Sequence, residues 1–419
     1  ETDPTLITRK SRMTNKFKYK VDAIKWLILL LGFSVFLPAG LIAKQSMAVI
    51  FIIVIITLFF CTLLTRPSDL SPDRKVLFLF LTLCVYISFT HYLNDSCAPC
   101  VNKAFEKVLF FGLLIWIASS RLTVMPSLKF DTLSTFLMIS VILSVTYLAL
   151  ELVTDAYLYR TVTERLLDNS VALSRFNRGT SALVILIWPV SFLVFQRGFK
   201  ITAVFLLISS FCIATLGDSN SAKVSFVLAF ITVFLTLVFP RLTLNLIIIS
   251  VTSFFMLVPI IFLYLLEWSQ PVANRIPPST LDRLEIWHRS AVAVIEEPLL
   301  GYGIGISRHL PIPEDLSLLY KYFTVPTTHP HNAPIQIWLE LGLIGVVIML
   351  LLIGFASSPI RRTKGHFRVA AFATGVSIIF TGFVSYGFWQ ETWLSIIGMA
   401  VILFKLIHQV VPDGNVRAD

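Results

Sequence analysis

The chain has 419 residues, of which 56% are hydrophobic and 14% charged, and its mean hydropathy is +0.82. An ordinary soluble domain carries about 25% charged residues, so a soluble enzyme, a disordered chain and a disulfide-rich secreted domain all fit poorly. The composition fits an all-α integral membrane protein, and there the formal net charge of +10 bears on loop charge and orientation rather than on nucleic acid.

Residues 1–23 form a basic segment that includes Arg9, Lys10, Arg12, Lys16, Lys18 and Lys20. It precedes the first apolar run, shows no cleavable signal peptide, and reads as a cytoplasmic N-terminus. About twelve apolar runs follow, at 24–43, 47–65, 76–93, 105–119, 132–153, 179–196, 200–217, 223–239, 243–266, 334–356, 367–386 and 390–410. Each is long enough to cross ~30 Å of hydrocarbon, where a chain without internal hydrogen bonds is not tolerated. Twelve transmembrane helices are therefore expected, nine in 24–266 and three in 334–410. Between them lies a large loop, 267–333, and a short cytoplasmic tail, 411–419, ends the sequence.

With the basic N-terminus inside, Lys and Arg divide 21 to the cytoplasmic side and 13 to the outer side. The short inner turns are dense in charge, as at Arg361, Arg362, Lys364 and Arg368. That division follows the positive-inside rule. Nine of the outer cations fall in only two loops: Arg160, Arg165, Arg175 and Arg178 in one, and Arg275, Arg283, Arg289, Arg308 and Lys321 in the other. The second loop also holds His288, His309, His329 and His331, four of the seven histidines. Loops this long are usually functional. Within it, Leu284, Trp287, Ala291 and Val294 recur at helical spacing, so 280–297 is expected to be a helix on the outer membrane face. No internal repeat is visible and no charge sits at a span midpoint, which weighs against a transporter. Cys61, Cys84 and Cys212 lie in apolar runs as packing residues. The CAPC of Cys97 and Cys100 lacks partners for a zinc site.

The densest polar constellation is THPHNAPIQIWLELG, Thr328 to Gly342, at the outer mouth of the tenth run. Pro334 suits a first helical turn, and Gln336 and Glu340, four apart, share a face. His329 and His331, with Asn332, can supply a neutral imidazole as a base. The plainer reading is a helix cap with two interfacial histidines, and a third is a zinc pair, for which no third ligand is evident. Arg178 opens the sixth run, with Asn177 or Thr180 as a candidate cap. An arginine at a helix start is unfavourable for the dipole unless an anion docks there; otherwise it snorkels to headgroups. Arg283 and Arg289, six apart, point to different faces, and Asp282 and Glu285 offer Arg283 a local salt bridge. Lys223 closes the polar turn GDSNSAK. GYGIG at 301–305 lacks the strand and GK[ST] of a phosphate loop and reads as a turn. Tyr386, Trp389 and Gln390 lie at the mouth of the last two runs, as an interfacial belt or as a platform for sugar.

At HPHNAPIQIWLELGLIG the sequence resembles the O-antigen ligase family, which is related to the O-antigen polymerases. NRG before the sixth run, RLEIW and EEPLLGYGIG in the outer loop, and YGFWQ near the end resemble family segments too. The resemblance implies a metal-independent, inverting glycosyltransferase of the GT-C type in the bacterial inner membrane, with its site facing the periplasm and no cofactor. Its partners would be an undecaprenyl-diphosphate-linked glycan as donor, a lipid A–core sugar as acceptor, and membrane lipids. By position, His331 would be the base, with His329, Asn332, Gln336 and Glu340 supporting it. Arg178 and Arg283 would hold the diphosphate, with Arg289 as a further cation. Lys223 stands where many members carry an arginine; it keeps the charge but not the bidentate fork. A polymerase acting on two lipid-linked glycans is the nearest alternative, and a polysaccharide or lipid transporter the second.

Overall fold

A computed structural model describes residues 4–43, 45–93, 98–122, 130–162, 173–310 and 329–410. Among them the regular structure is helical: α1 Pro4–Ile42, α2 Ser46–Thr65, α3 Arg74–Leu93, α4 Ala98–Ser119, α5 Phe130–Val153, α6 Tyr157–Val162, α7 Asn177–Gln196, α8 Lys200–Leu216, α9 Asn220–Val238, α10 Pro240–Ser269, α11 Pro278–Glu296, α12 Ala333–Ala356, α13 Ser358–Arg361, α14 Gly365–Val384 and α15 Glu391–Val410. Each of the twelve apolar runs coincides with one helix. Among the described residues nine helices are long and apolar enough to cross a membrane, and α8 is a shorter apolar helix of 17 residues. The remaining two runs are α3 and α4. The Cys97–Cys100 pair, Arg165, Lys321 and the tail 411–419 lie outside the residues whose side chains are described.

Helix α7 is the centre of the bundle. From Gly179 to Val194 every residue is buried, against α1, α5, α8, α9, α14 and α15. Hydroxyls tie these helices where lipid cannot. Trp188 Nε1 donates to Ser377 Oγ at 3.1 Å, and Thr381 Oγ1 donates to Ser225 Oγ at 3.2 Å. Neither Asn177 nor Thr180 caps α7; the Thr180 hydroxyl donates back to the Phe176 carbonyl and Ser181 to that of Asn177.

The expected outer-loop helix is α11, starting two residues earlier than its periodicity marks. Its stripe is buried, with Leu284, Trp287, Ala291 and Val294 facing α10 and α12. The Trp287 ring stacks on Phe262 of α10 at 4.7 Å.

Helix α12 is two helices in line. Asn332 caps its start, Oδ1 accepting the Ile335 amide at 3.0 Å as an N-cap does. The run breaks at Gly342, whose φ of 59° is left-handed. The segment 298–303 closes the break. Tyr302 and Gly303 amides donate to the Leu339 and Glu340 carbonyls at 2.9 Å, and the Leu343 amide donates to Pro298 O at 2.9 Å. Tyr86 Oη of α3 donates to Leu341 O at 2.8 Å. Interrupted backbone at membrane depth is tolerated only when buried and hydrogen-bonded in this way. The GYGIG turn is thus a clasp on the broken helix.

A side chain at Gly342 has no room: its Cβ would stand 2.3 Å from Leu299 O. Strain at a left-handed non-glycine residue costs of order 1–3 kcal/mol, and the collision adds to it. Gly342→Ala is expected to lower the thermal unfolding midpoint of the detergent-solubilised protein by several degrees. An unchanged midpoint would mean that the break is not the stable form.

Candidate active site

The site gathers where the first parts of α7, α11 and α12 meet the end of α14. His331 has a φ of 56°, a left-handed turn uncommon outside glycine. That turn swings its ring onto the segment after α14, where Nδ1 lies 3.0 Å from Ser385 O. A carbonyl only accepts, so Nδ1 carries the proton and Nε2 keeps the lone pair. The His331 amide donates to His329 Nδ1 at 3.3 Å, and the two rings lie 4.3 Å apart at 62°. Asn332 Nδ2 donates to the Phe383 carbonyl, and Trp287 Nε1 donates to Pro330 O at 2.8 Å. The histidine segment is therefore pinned from α11, α12 and α14 together.

Two of the predicted cations reach this imidazole. Arg283 from α11 and Arg178 from the first turn of α7 both act on His331 electrostatically. Burial foremost, then these two positive charges, hold the His331 imidazole below its usual 6.5; the Ser385 hydrogen bond acts the other way. Burial likewise draws the Arg283 guanidinium down, against the opposing pull of Asp282. Arg178 also faces Tyr386, whose hydroxyl bonds to Ser181 on the next turn of α7.

The charge of Arg289 acts on Glu285, a buried carboxylate one turn earlier on α11. Lys223 sits half-buried in the first turn of α9. It shares the α9–α14 wall through Ser225, with no hydrogen bond or ion pair of its ammonium among the described residues.

Among the described residues Gln336 and Glu340 make no hydrogen bond to His331. Glu340 is buried, with Oε1 accepting from Gln336 Nε2 at 2.9 Å and from the Gly305 amide at 3.1 Å, and Oε2 accepting from Trp389 Nε1 at 2.6 Å. Gln336 Oε1 accepts the Phe388 amide at 2.7 Å. One carboxylate thereby joins the clasp, α12 and the segment 385–390. Tyr386 and Trp389, read from the sequence as an interfacial belt or a platform for sugar, are both buried. Trp389 is 1% exposed with its edge against Phe111, and Tyr386 stacks on Trp393 at 4.9 Å. Gln390 is half-buried and continues the turn through its backbone. Ser385 and Gly387, not singled out from the sequence, touch the two histidines. A Cβ at Gly387 would stand 2.7 Å from His329 Cγ, so the glycine admits the imidazole.

An imidazole with a free Nε2 lone pair and two guanidiniums from separate helices meet here, groups able to accept a proton and to face an anion. Comparison with known proteins agrees in kind. Residues 203–350 match the family model described as O-antigen ligase. A protein of Rickettsia conorii named "Putative polysaccharide ligase" is 29% identical over 256 residues, 59% of this chain and 61% of its own length. One of Rickettsia typhi is 30% identical over 256 residues, 59% and 62% of the two chains, and one of Rickettsia felis 26% over 344 residues, 80% and 82%. The match spans about three fifths of the length of the first two of these relatives.

Proposed function

We propose that the chain is a member of the O-antigen ligase family, which it resembles over residues 203–350, and a membrane glycosyltransferase moving a glycan from undecaprenyl diphosphate to a lipid A–core hydroxyl. The observation that carries this reading is the convergence of Arg178, Arg283 and an Nε2-basic His331 at one end of the bundle. The bundle crosses the inner membrane twelve times with both ends cytoplasmic, in a GT-C type architecture, and this site faces the periplasm.

No nucleoside triphosphate is needed, because the donor carries its own activated bond. The acceptor O–H gives its proton to His331 Nε2 as its oxygen forms a bond to the anomeric carbon. The bond from that carbon to the diphosphate oxygen breaks, and the electron pair leaves with the diphosphate. Arg178 and Arg283 neutralise the charge that gathers there. Attack opposite the leaving group inverts the anomeric centre. His331 Nδ1–H stays on Ser385 O, so the ring does not rotate as Nε2 is protonated.

The test is reconstitution of the full chain in proteoliposomes with an undecaprenyl-diphosphate glycan and, separately, lipid A–core or a second lipid-linked glycan. Extension of lipid A–core alone is expected. Extension of the lipid-linked glycan alone would make the enzyme a polymerase, and extension of neither would remove the reading.

A further inference from the structure

Three successive residues after α4 are each tied to a different element. The Ser120 carbonyl accepts from Lys405 Nζ of α15. The Arg121 amide donates to Asp69 O, in the turn after α2, at 2.9 Å, and the Leu122 carbonyl accepts from Thr62 Oγ1 of α2 at 3.3 Å. Helix α15 starts at Glu391, directly after the segment that holds His331, and Lys405 lies toward its far end. At about 1.5 Å per residue, that is roughly 20 Å along the helix from its start. Charge is unbalanced at this end. Lys405 and Arg121 act on each other as like charges, and neither forms an ion pair among the described residues. Residues 107–130 and 392–412 carry no Asp or Glu. The neighbouring carboxylates, Asp22 and Asp69, are matched by Arg66 and Lys25: Asp22 pairs with Arg66 at 3.8 Å, and both carboxylates act on the buried Lys25. One ammonium on the last carbonyls of a helix is favourable, but a second cation beside it only repels.

We propose that Ser120, Arg121 and Lys405 form a binding site for the phosphate of an anionic phospholipid, at the end of the bundle away from His331. The Ser120 hydroxyl, on the residue whose carbonyl takes Lys405, is 0% exposed and has no hydrogen-bond partner among the described residues. A buried donor left unsatisfied is destabilising. Two cations without a counter-charge and one orphan hydroxyl match one phosphate: the guanidinium and the ammonium meet its charge, and the hydroxyl donates to its oxygen. Lys405 is half-buried and Arg121 exposed, so the group is open from outside the bundle. Beside Thr62, the last turns of α2 turn Phe60, Leu63 and Leu64 outward, 55%, 44% and 63% exposed. An anion carried on an apolar body uses both surfaces, and a free anion uses only one. Basic pockets between membrane helices take lipid head groups in this manner. The site is independent of the reaction proposed above.

The experiment uses the full chain in a neutral detergent and follows the thermal unfolding midpoint as dioleoyl phosphatidylglycerol, dioleoyl phosphatidylcholine or inorganic phosphate is added. Phosphatidylglycerol is expected to raise the midpoint saturably, and the other two, at the same concentration, to do little. Arg121→Gln is expected to raise the half-saturating phosphatidylglycerol concentration roughly fivefold, the worth of one basic residue at an anionic lipid surface. Arg362→Gln, at another exposed cation in the turn before α14, is expected to leave it unchanged. Ser120→Ala is expected to weaken the response to phosphatidylglycerol while the lipid-free midpoint stays at or above that of wild type, because an orphan donor is gone. A lower lipid-free midpoint with an unchanged lipid response would make Ser120 purely structural and overturn its place in the site. Equal weakening by Arg121→Gln and Arg362→Gln would reduce the site to diffuse surface charge and overturn the proposal. An equal rise with phosphatidylcholine would remove the role of net charge, and an equal rise with inorganic phosphate would replace the lipid by a free anion. No rise with phosphatidylglycerol would overturn the site altogether.

Discussion

His331→Ala is expected to cut glycan transfer by about 10²–10⁴-fold, the usual contribution of a general base, with the protein inserting and unfolding as wild type does. His329→Ala is expected to lose far less. The same residue sets the pH profile. A base works only when neutral, and burial with two neighbouring arginines holds this imidazole below its usual 6.5. The rate is therefore expected to hold as pH falls through 6.5 and to drop only at lower pH. Arg283→Gln removes a positive charge, raises the imidazole pKa, and moves that acid limb upward. Rates at fixed saturating donor across the acid range would check both signs. A limb that moves down in the arginine variant would contradict the electrostatic assignment, and full activity in His331→Ala would remove the base altogether.

Arg178→Ala and Arg283→Ala are each expected to lower kcat by about 10²–10³, as loss of one preorganised charge-stabilising group does. The two guanidiniums approach from α7 and α11, so neither takes over when the other is gone. Arg178→Lys is expected to recover little, because an ammonium replaces the bidentate fork with a single point charge. Single-turnover transfer with saturating lipid-linked donor measures the chemical step directly. Arg289→Ala serves as the comparison, because its charge is engaged with Glu285 and its removal is expected to leave that step near wild type. Equal damage from Arg178 and Arg289 substitutions would show that bulk outer-face charge, and not a placed pair, supports the reaction.

The helices were legible because apolar runs in lipid have one solution, and each of the twelve runs is a helix. The buried stripe of α11 was legible from its 3.6-residue period. His331, Arg178 and Arg283 stood out as polar groups against that apolar background. Apart from Arg178 and Arg283 meeting His331, which polar group meets which across the bundle was not legible. Glu340 shares a helix face with Gln336, which the spacing gave; that Oε2 would take the indole N–H of Trp389 depends on how α12 and α15 pack. Ser385 carried no signal at all, because it acts through its backbone carbonyl, which every residue has. Gly342 looked like one more small residue in a span. Its left-handed conformation follows from the clasp at 298–303, far away in sequence. The aromatic segment YGFWQ was expected at the interface on composition alone, but its rings are core.

The bond between Trp389 and Glu340, and the one between Ser385 and His331, also impose an order on the molecule's birth. The chain leaves the ribosome from its N-terminus, so α7 with Arg178, α11 with Arg283 and α12 with both histidines exist before the 385–390 segment has been made. At that stage the His331 ring has no carbonyl to fix its tautomer, His329 has no Gly387 behind it, and one oxygen of a buried carboxylate waits for its indole. Arg178 and Arg283 are therefore in the chain before the carbonyl that fixes the His331 ring. The histidine segment is thus completed only when a six-residue turn arrives.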